Sequence, residues 1–147
     1  MAVDPQGKNL YITESDDFAV EVCQLNDTDG SLVSCTRNTD PSFSRPDAIA
    51  INSTGTFAYI TDWEKNTIIS CPIDSDTGNF IACVDSSSAL TKKPMSITLD
   101  HFNKIAYVSN YGSNLLLRCF MDDSGFINAN TCQGIQDVNS PTGVDIA

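Results

Sequence analysis

The sequence predicts an all-β fold of three four-stranded antiparallel sheets, and three observations predict it. Landmark residues recur at a fixed step: Tyr11, Tyr59 and Tyr107 stand 48 and 48 apart, as do Cys23, Cys71 and Cys119, while Cys35, Cys83 and Cys132 stand 48 and 49 apart. A period of this size marks one supersecondary unit that buries its apolar faces only by stacking on its neighbours. Each copy also holds four short runs of β-branched, aromatic or alternating residues, divided by turns rich in Gly, Asn and Asp. Finally, no stretch of useful length places apolar residues at helical spacing. The copies occupy residues 1–47, 48–95 and 96–142, a fourth starts at 143–147, and residues 1–147 form one repeat domain.

The elements follow in order. Residues 48–52 (AIAIN) and 96–100 (SITLD) alternate small and large side chains, as suits a first strand buried on both faces. Turns at 5–8, 53–56 and 101–104 come next, with Gly7, Gly55 and Asn103 where a positive φ is needed. Second strands are expected at 9–13, 57–61 and 105–109, and third strands at 19–25, 67–73 and 115–121. Asp-rich, Gly-bearing turns at 26–30, 74–78 and 122–125 lead to fourth strands at 32–36 and 80–84, and to a ragged one between Phe126 and Cys132. Loops ending in Pro46, Pro94 and Pro141 return the chain to the next first strand.

Four antiparallel strands per unit at this period is the pattern of a β-propeller blade. Tyr59-Ile60-Thr61-Asp62 with Asn66-Thr67-Ile68, and Tyr107-Val108-Ser109-Asn110 with Asn114-Leu115-Leu116, resemble the YVTN family of β-propeller repeats, related to lactonase-like seven-bladed propellers. The first repeat departs from that motif at Glu14 and Phe18, where a different hydrogen-bonding scheme is expected. Residues 1–3 and 144–146 both align with 49–51, so both ends hold the same piece of a first strand. Closed propellers use about 4 to 8 blades, and three leave two faces without neighbours. The chain is therefore expected to be part of a larger propeller or a homo-oligomer, most simply two chains closing six blades.

Cysteine placement is the strongest local signal after the repeat. If Ile73 faces Ile81 in a register that buries both, Cys71 lies opposite Cys83; likewise Leu25 opposite Val33 puts Cys23 opposite Cys35. Opposed residues of an antiparallel pair are close enough for a disulfide. In the third repeat the turn is shorter and the fourth strand longer, so Cys119 and Cys132 need a bulge to meet. The alternative is six reduced cysteines acting as small buried hydrophobes.

Composition narrows function. With 19 acidic and 8 basic residues the net charge is −11, and the only adjacent basic pair is Lys92-Lys93, so a nucleic-acid partner is not expected. No apolar run reaches the roughly 20 residues of a membrane helix, and no signal peptide opens the sequence. Six paired cysteines nevertheless argue for an oxidising setting: secreted, periplasmic or cell surface, with a leader removed or upstream.

No metal or other cofactor is expected. A CxxC spacing is missing, and the Asp-rich turns do not fit a calcium loop, since Gly30 as its glycine would make Leu25 and Thr36 the end ligands. His101 is a lone turn histidine, and no Gly-x-Ser-x-Gly elbow or phosphate loop occurs.

The resemblance implies that the bends between second and third strands gather on one rim with the loops returning to the first strands. That rim would hold Trp63, Tyr111, Phe43, Arg45, Asp62, Asn110 and Lys93, aromatics ringed by charge of the kind binding faces use. The expected function is a non-catalytic platform for a protein or glycan ligand, extracytoplasmic. Part of a lactonase-like hydrolase and a structural cell-surface array are the alternatives.

Overall fold

A computed structural model describes residues 1–102 and 104–146; the expected turn position Asn103 lies outside the described residues. Three sheets of four strands each form consecutive antiparallel meanders, as expected. Blade one holds β1 (Ala2–Val3), β2 (Asn9–Glu14), β3 (Ala19–Leu25) and β4 (Leu32–Thr39). Blade two holds β5 (Pro46–Ile51), β6 (Phe57–Asp62), β7 (Thr67–Pro72) and β8 (Val84–Asp85). Blade three holds β9 (Pro94–Asp100), β10 (Ile105–Asn110), β11 (Leu115–Phe120) and β12 (Gln133–Asp137). The first strands β1, β5 and β9 lie side by side, so the sheets stack face to face.

Period-2 alternation gives each blade two apolar faces. On one face of blade two the rungs Ala58↔Cys71 and Ile60↔Ile69 pack with Ile49 and Ile51 against Tyr11, Val20 and Val22 of blade one. On its other face Tyr59 and Ile68 meet Ile97, Leu99, Val108 and Leu117 of blade three. Each fully buried side chain of this size stabilises the stack by about 1.5–3 kcal/mol.

The repeating tyrosine clasps one blade to the next. The Tyr11 hydroxyl donates to the Gly78 carbonyl at 2.9 Å, and Tyr59 to Gly125 at 2.6 Å. Burial, reinforced by the nearby charges of Asp4 and Asp122, pushes both phenols well above their ordinary range, so they remain donors. Gly78 itself is at φ +74, and a Cβ there would lie 2.9 Å from the Asn9 side chain.

Disulfides join Cys23–Cys35, Cys71–Cys83 and Cys119–Cys132, with Cα separations of 4.0, 4.2 and 4.1 Å. Such distances belong to directly opposed, non-hydrogen-bonded pairs. Beyond the cysteines the expected registers slip. Leu25 faces Leu32, not Val33, across a bulge, and Ile73 bridges to Phe80, leaving Ile81 66% exposed where burial was expected.

Phe80 is the cause in blade two. While it is bridged to Ile73, its ring stacks on Tyr11 at 5.9 Å and its N–H donates to Asn38 of blade one, so it is shared between the blades; the regular fourth strand β8 is only two residues long. In blade three the expected strand between Phe126 and Cys132 is replaced by a bridge at Ile127 and a 3-10 turn at Ala129–Thr131. That turn absorbs the extra length, so the fourth strand starts only after Cys132. Pro46 and Pro94 are the first residues of β5 and β9 and do not belong to the loops before them. Residues 141–146 form no strand.

Candidate binding rim

The bends after β6 and β10 hold the rim together. Asp62, fully buried at the end of β6, accepts from the Ser44 and Arg45 N–H groups at 2.7 and 2.8 Å and from Lys65 N–H at 2.9 Å. A carboxylate taking three backbone donors satisfies its charge without solvent. Asn110, also fully buried, accepts from Lys92 N–H at 2.6 Å and donates to the Leu90 carbonyl at 2.7 Å and to Ser113. Each side chain therefore ties the loop entering its blade to the bend of that blade.

These clamps set the register of the surface above them. Trp63 N–H donates to the Arg45 carbonyl, and Lys93 N–H to the Asn66 side chain. Gly112 N–H donates to Lys92 O at 2.9 Å, and a Cβ at Gly112 would lie 2.9 Å from that same oxygen, so the close approach requires glycine. The result is a cluster drawn from four loops and two blades. The rings of Trp63 and Tyr111 are 5.5 Å apart at 36°, with Arg45 5.5 Å and Lys93 5.1 Å from the indole. Both cations and Tyr111 are exposed, and Trp63 is half-buried. Guanidinium and ammonium groups over an indole gain from its quadrupole.

Trp63, Tyr111, Arg45 and Lys93 thus come together as a surface. Asp62 and Asn110 lie beneath it as clamps. Phe43 is not on that surface: it is 6% exposed and meets Phe80 edge-on at 6.2 Å, filling the gap between blades one and two. The repeat pattern places position 43 in a returning loop, and only the neighbouring blade shows that this loop folds inward.

Two further groups belong to the rim. Lys65 donates to the Pro41 carbonyl at 2.6 Å. Asp47 is a half-buried carboxylate that accepts from the Ser15 hydroxyl at 3.3 Å, and its Oδ2 has no hydrogen-bond partner. Burial pushes Asp47 above the ordinary carboxylate range, opposed by Ser15 and Arg45 and reinforced by Asp62.

In blade one, Glu14 takes the place of Asp62 and pairs with Arg37 at 3.4 Å, while Phe18 keeps the left-handed backbone of Asn66 and Asn114. The different scheme expected for this bend is therefore observed. His101 lies at the other end of the blades, exposed, in a cleft of about 340 Å³ with Asn52, Tyr59, Lys104 and Asp122. No helix among the described residues is long and apolar enough to cross a membrane.

No curated protein matches this sequence. Among solved structures, the periplasmic gluconolactonase PpgL of Pseudomonas aeruginosa is similar at a TM-score of 0.71 and 18% identity, over 96% of this chain and 40% of that one. An auxiliary nutrient binding protein from Bacteroides thetaiotaomicron is similar at a TM-score of 0.65 and 13% identity, over 96% of this chain and 40% of that one. The chain therefore spans about 40% of the length of these propellers. Residues 9–141 match the family described as Lactonase, 7-bladed beta-propeller, and with its three stacked four-stranded sheets the chain belongs to that family.

Proposed function

We propose that this chain supplies part of an extracytoplasmic lactonase-type propeller and that its rim captures a sugar-derived ring, a lactone or the corresponding acid. The observation that carries this reading is the Trp63–Tyr111 pair at 5.5 Å with Arg45 and Lys93 beside the indole. Aromatic faces suit the C–H face of a sugar ring, and two exposed cations suit a carboxylate or lactone carbonyl. The gluconolactonase likeness supports the ligand class, and three disulfides support an oxidising compartment.

Trp63 is the sole tryptophan, so indole fluorescence reports on the rim directly. Titration with gluconate and glucono-lactone is expected to change that emission saturably. The variants Arg45→Ala and Lys93→Ala should each weaken the response about tenfold, the loss of one charge-assisted contact. Emission that no sugar, lactone or acid alters would overturn the reading.

Hydrolysis on the same face is a second reading, favoured by Asp47. Burial raises its proton affinity, and Oδ2, unpaired but shielded from solvent, would take a proton from water attacking a lactone carbonyl only once a bound ring opens the rim to that water. Lactone opening above the spontaneous rate that Asp47→Asn abolishes is the expected result, and turnover unchanged in that variant removes the assignment.

A further inference from the structure

Two segments of the sequence, Asn26-Asp27-Thr28 and Asn52-Ser53-Thr54, have the Asn-x-Ser/Thr pattern that oligosaccharide transfer to asparagine requires, and the fold treats them differently. We propose that Asn26 is an N-glycosylation site and that Asn52 is not. The assignment rests on the extracytoplasmic reading above, because the sugar donor, a lipid-linked oligosaccharide diphosphate, meets only chains that are exported.

Asn26 opens the turn between β3 and β4, where its N–H donates to the Ser31 carbonyl at 2.8 Å and its own carbonyl accepts from Gly30 N–H at 2.9 Å. Residues 26–30 are all exposed. The Asn26 side-chain oxygen accepts from Thr28 N–H at 2.8 Å, while Nδ2 and the Thr28 hydroxyl make no hydrogen bond among the described residues. The equivalent positions show what the turn itself needs. Asp74 and Asp122 each accept from the N–H two residues on, at 3.1 and 2.9 Å, so the fold uses only an oxygen there. The amide nitrogen of Asn26 is surplus to the turn. Asp122 stays exposed with blade two packed before it, and Asp74 half-buried with blade one before it, so a preceding blade leaves position 26 within reach of solvent.

Asn52 is placed otherwise. Its oxygen accepts from Thr56 and Phe57 N–H at 2.9 and 3.1 Å, and its Nδ2 donates to the Thr56 hydroxyl at 3.1 Å. The Thr54 hydroxyl is also taken, 2.8 Å from that of Thr56. Both groups that the transfer would use are thus already bonded within one turn.

In the transfer, Nδ2 of Asn26 bonds to C1 of the first sugar as the bond from C1 to the diphosphate oxygen breaks. The lipid diphosphate leaves with the electron pair, and one amide proton is lost to solvent. The glycan then projects from the end of the blades opposite Trp63 and Tyr111, so the rim stays open.

The full 147-residue chain, secreted from eukaryotic cells behind a cleaved leader, is the material for the test. Peptide N-glycosidase in heavy-oxygen water is expected to convert residue 26, and not residue 52, to labelled aspartate. Asn26→Asp, which keeps the oxygen the turn uses, and Thr28→Ala should each abolish the gel shift that the enzyme causes, whereas Asn52→Asp should retain it. Secreted protein with all six cysteines paired and Asn26 unmodified overturns this assignment and leaves the compartment standing. Free thiols together with an unmodified Asn26 overturn both. A shift that survives in Asn26→Asp puts the glycan elsewhere and likewise overturns the proposal.

Discussion

The bend between second and third strands is built one way in blades two and three and another way in blade one. In the first two, a short side chain at the strand end, Asp62 or Asn110, turns inward and takes the backbone of the entering loop. In blade one, Glu14 stays one-third exposed and pairs with Arg37, which also meets Asp17. The backbone is nevertheless alike in all three, with φ of +56, +56 and +54 at Phe18, Asn66 and Asn114. The turn shape therefore comes from the strand ladders on either side. The side chain decides only whether the bend also fastens a second loop, and with it whether a rim surface is held in register.

The largest expected effect comes from removing a clamp. Asp62→Ala leaves three backbone donors without their acceptor in a fully buried site, and should destabilise the chain by about 3 kcal/mol. Urea unfolding followed by Trp63 emission measures this. A loss below about 1 kcal/mol would mean that the ladders alone hold the rim.

Blade one offers a change in the other direction. Phe18 holds a left-handed backbone that asparagine adopts more readily, and its ring is 56% exposed, so little packing is lost on replacement. Phe18→Asn should raise stability by about 1 kcal/mol. A thermal midpoint that falls instead would show that the ring packs on something the bend needs.

The smallest effect is at the surface pair. Arg37 and Asp17 are well exposed and Glu14 is one-third exposed, so Arg37→Ala should cost about 1 kcal/mol or less, and less as salt is added. A larger, salt-insensitive loss would put Glu14 in the same class as Asp62.

Much of the fold was legible because its signals are local. The second and third strands, the turn glycines and the Cys23–Cys35 and Cys71–Cys83 alignments all follow from spacing along a single hairpin. The rim was legible in part. Trp63 and Tyr111 share a repeat position, as do Arg45 and Lys93, so their meeting could be expected from the period. That Phe43 would leave this surface could not, because its place depends on Phe80, which lies in the next blade.

By itself, then, the sequence determined the all-β class, the number of sheets, the strand order and the partners of the cysteines, since a period of two and a period of 48 are properties of neighbours along the chain. Only the tertiary structure decided which polar residues are clamps and which are surface, where the fourth strands begin, and how far Asp47 is from water. Those depend on contacts between blades, where one residue is buried, bonded or left free by a partner some 40 residues away.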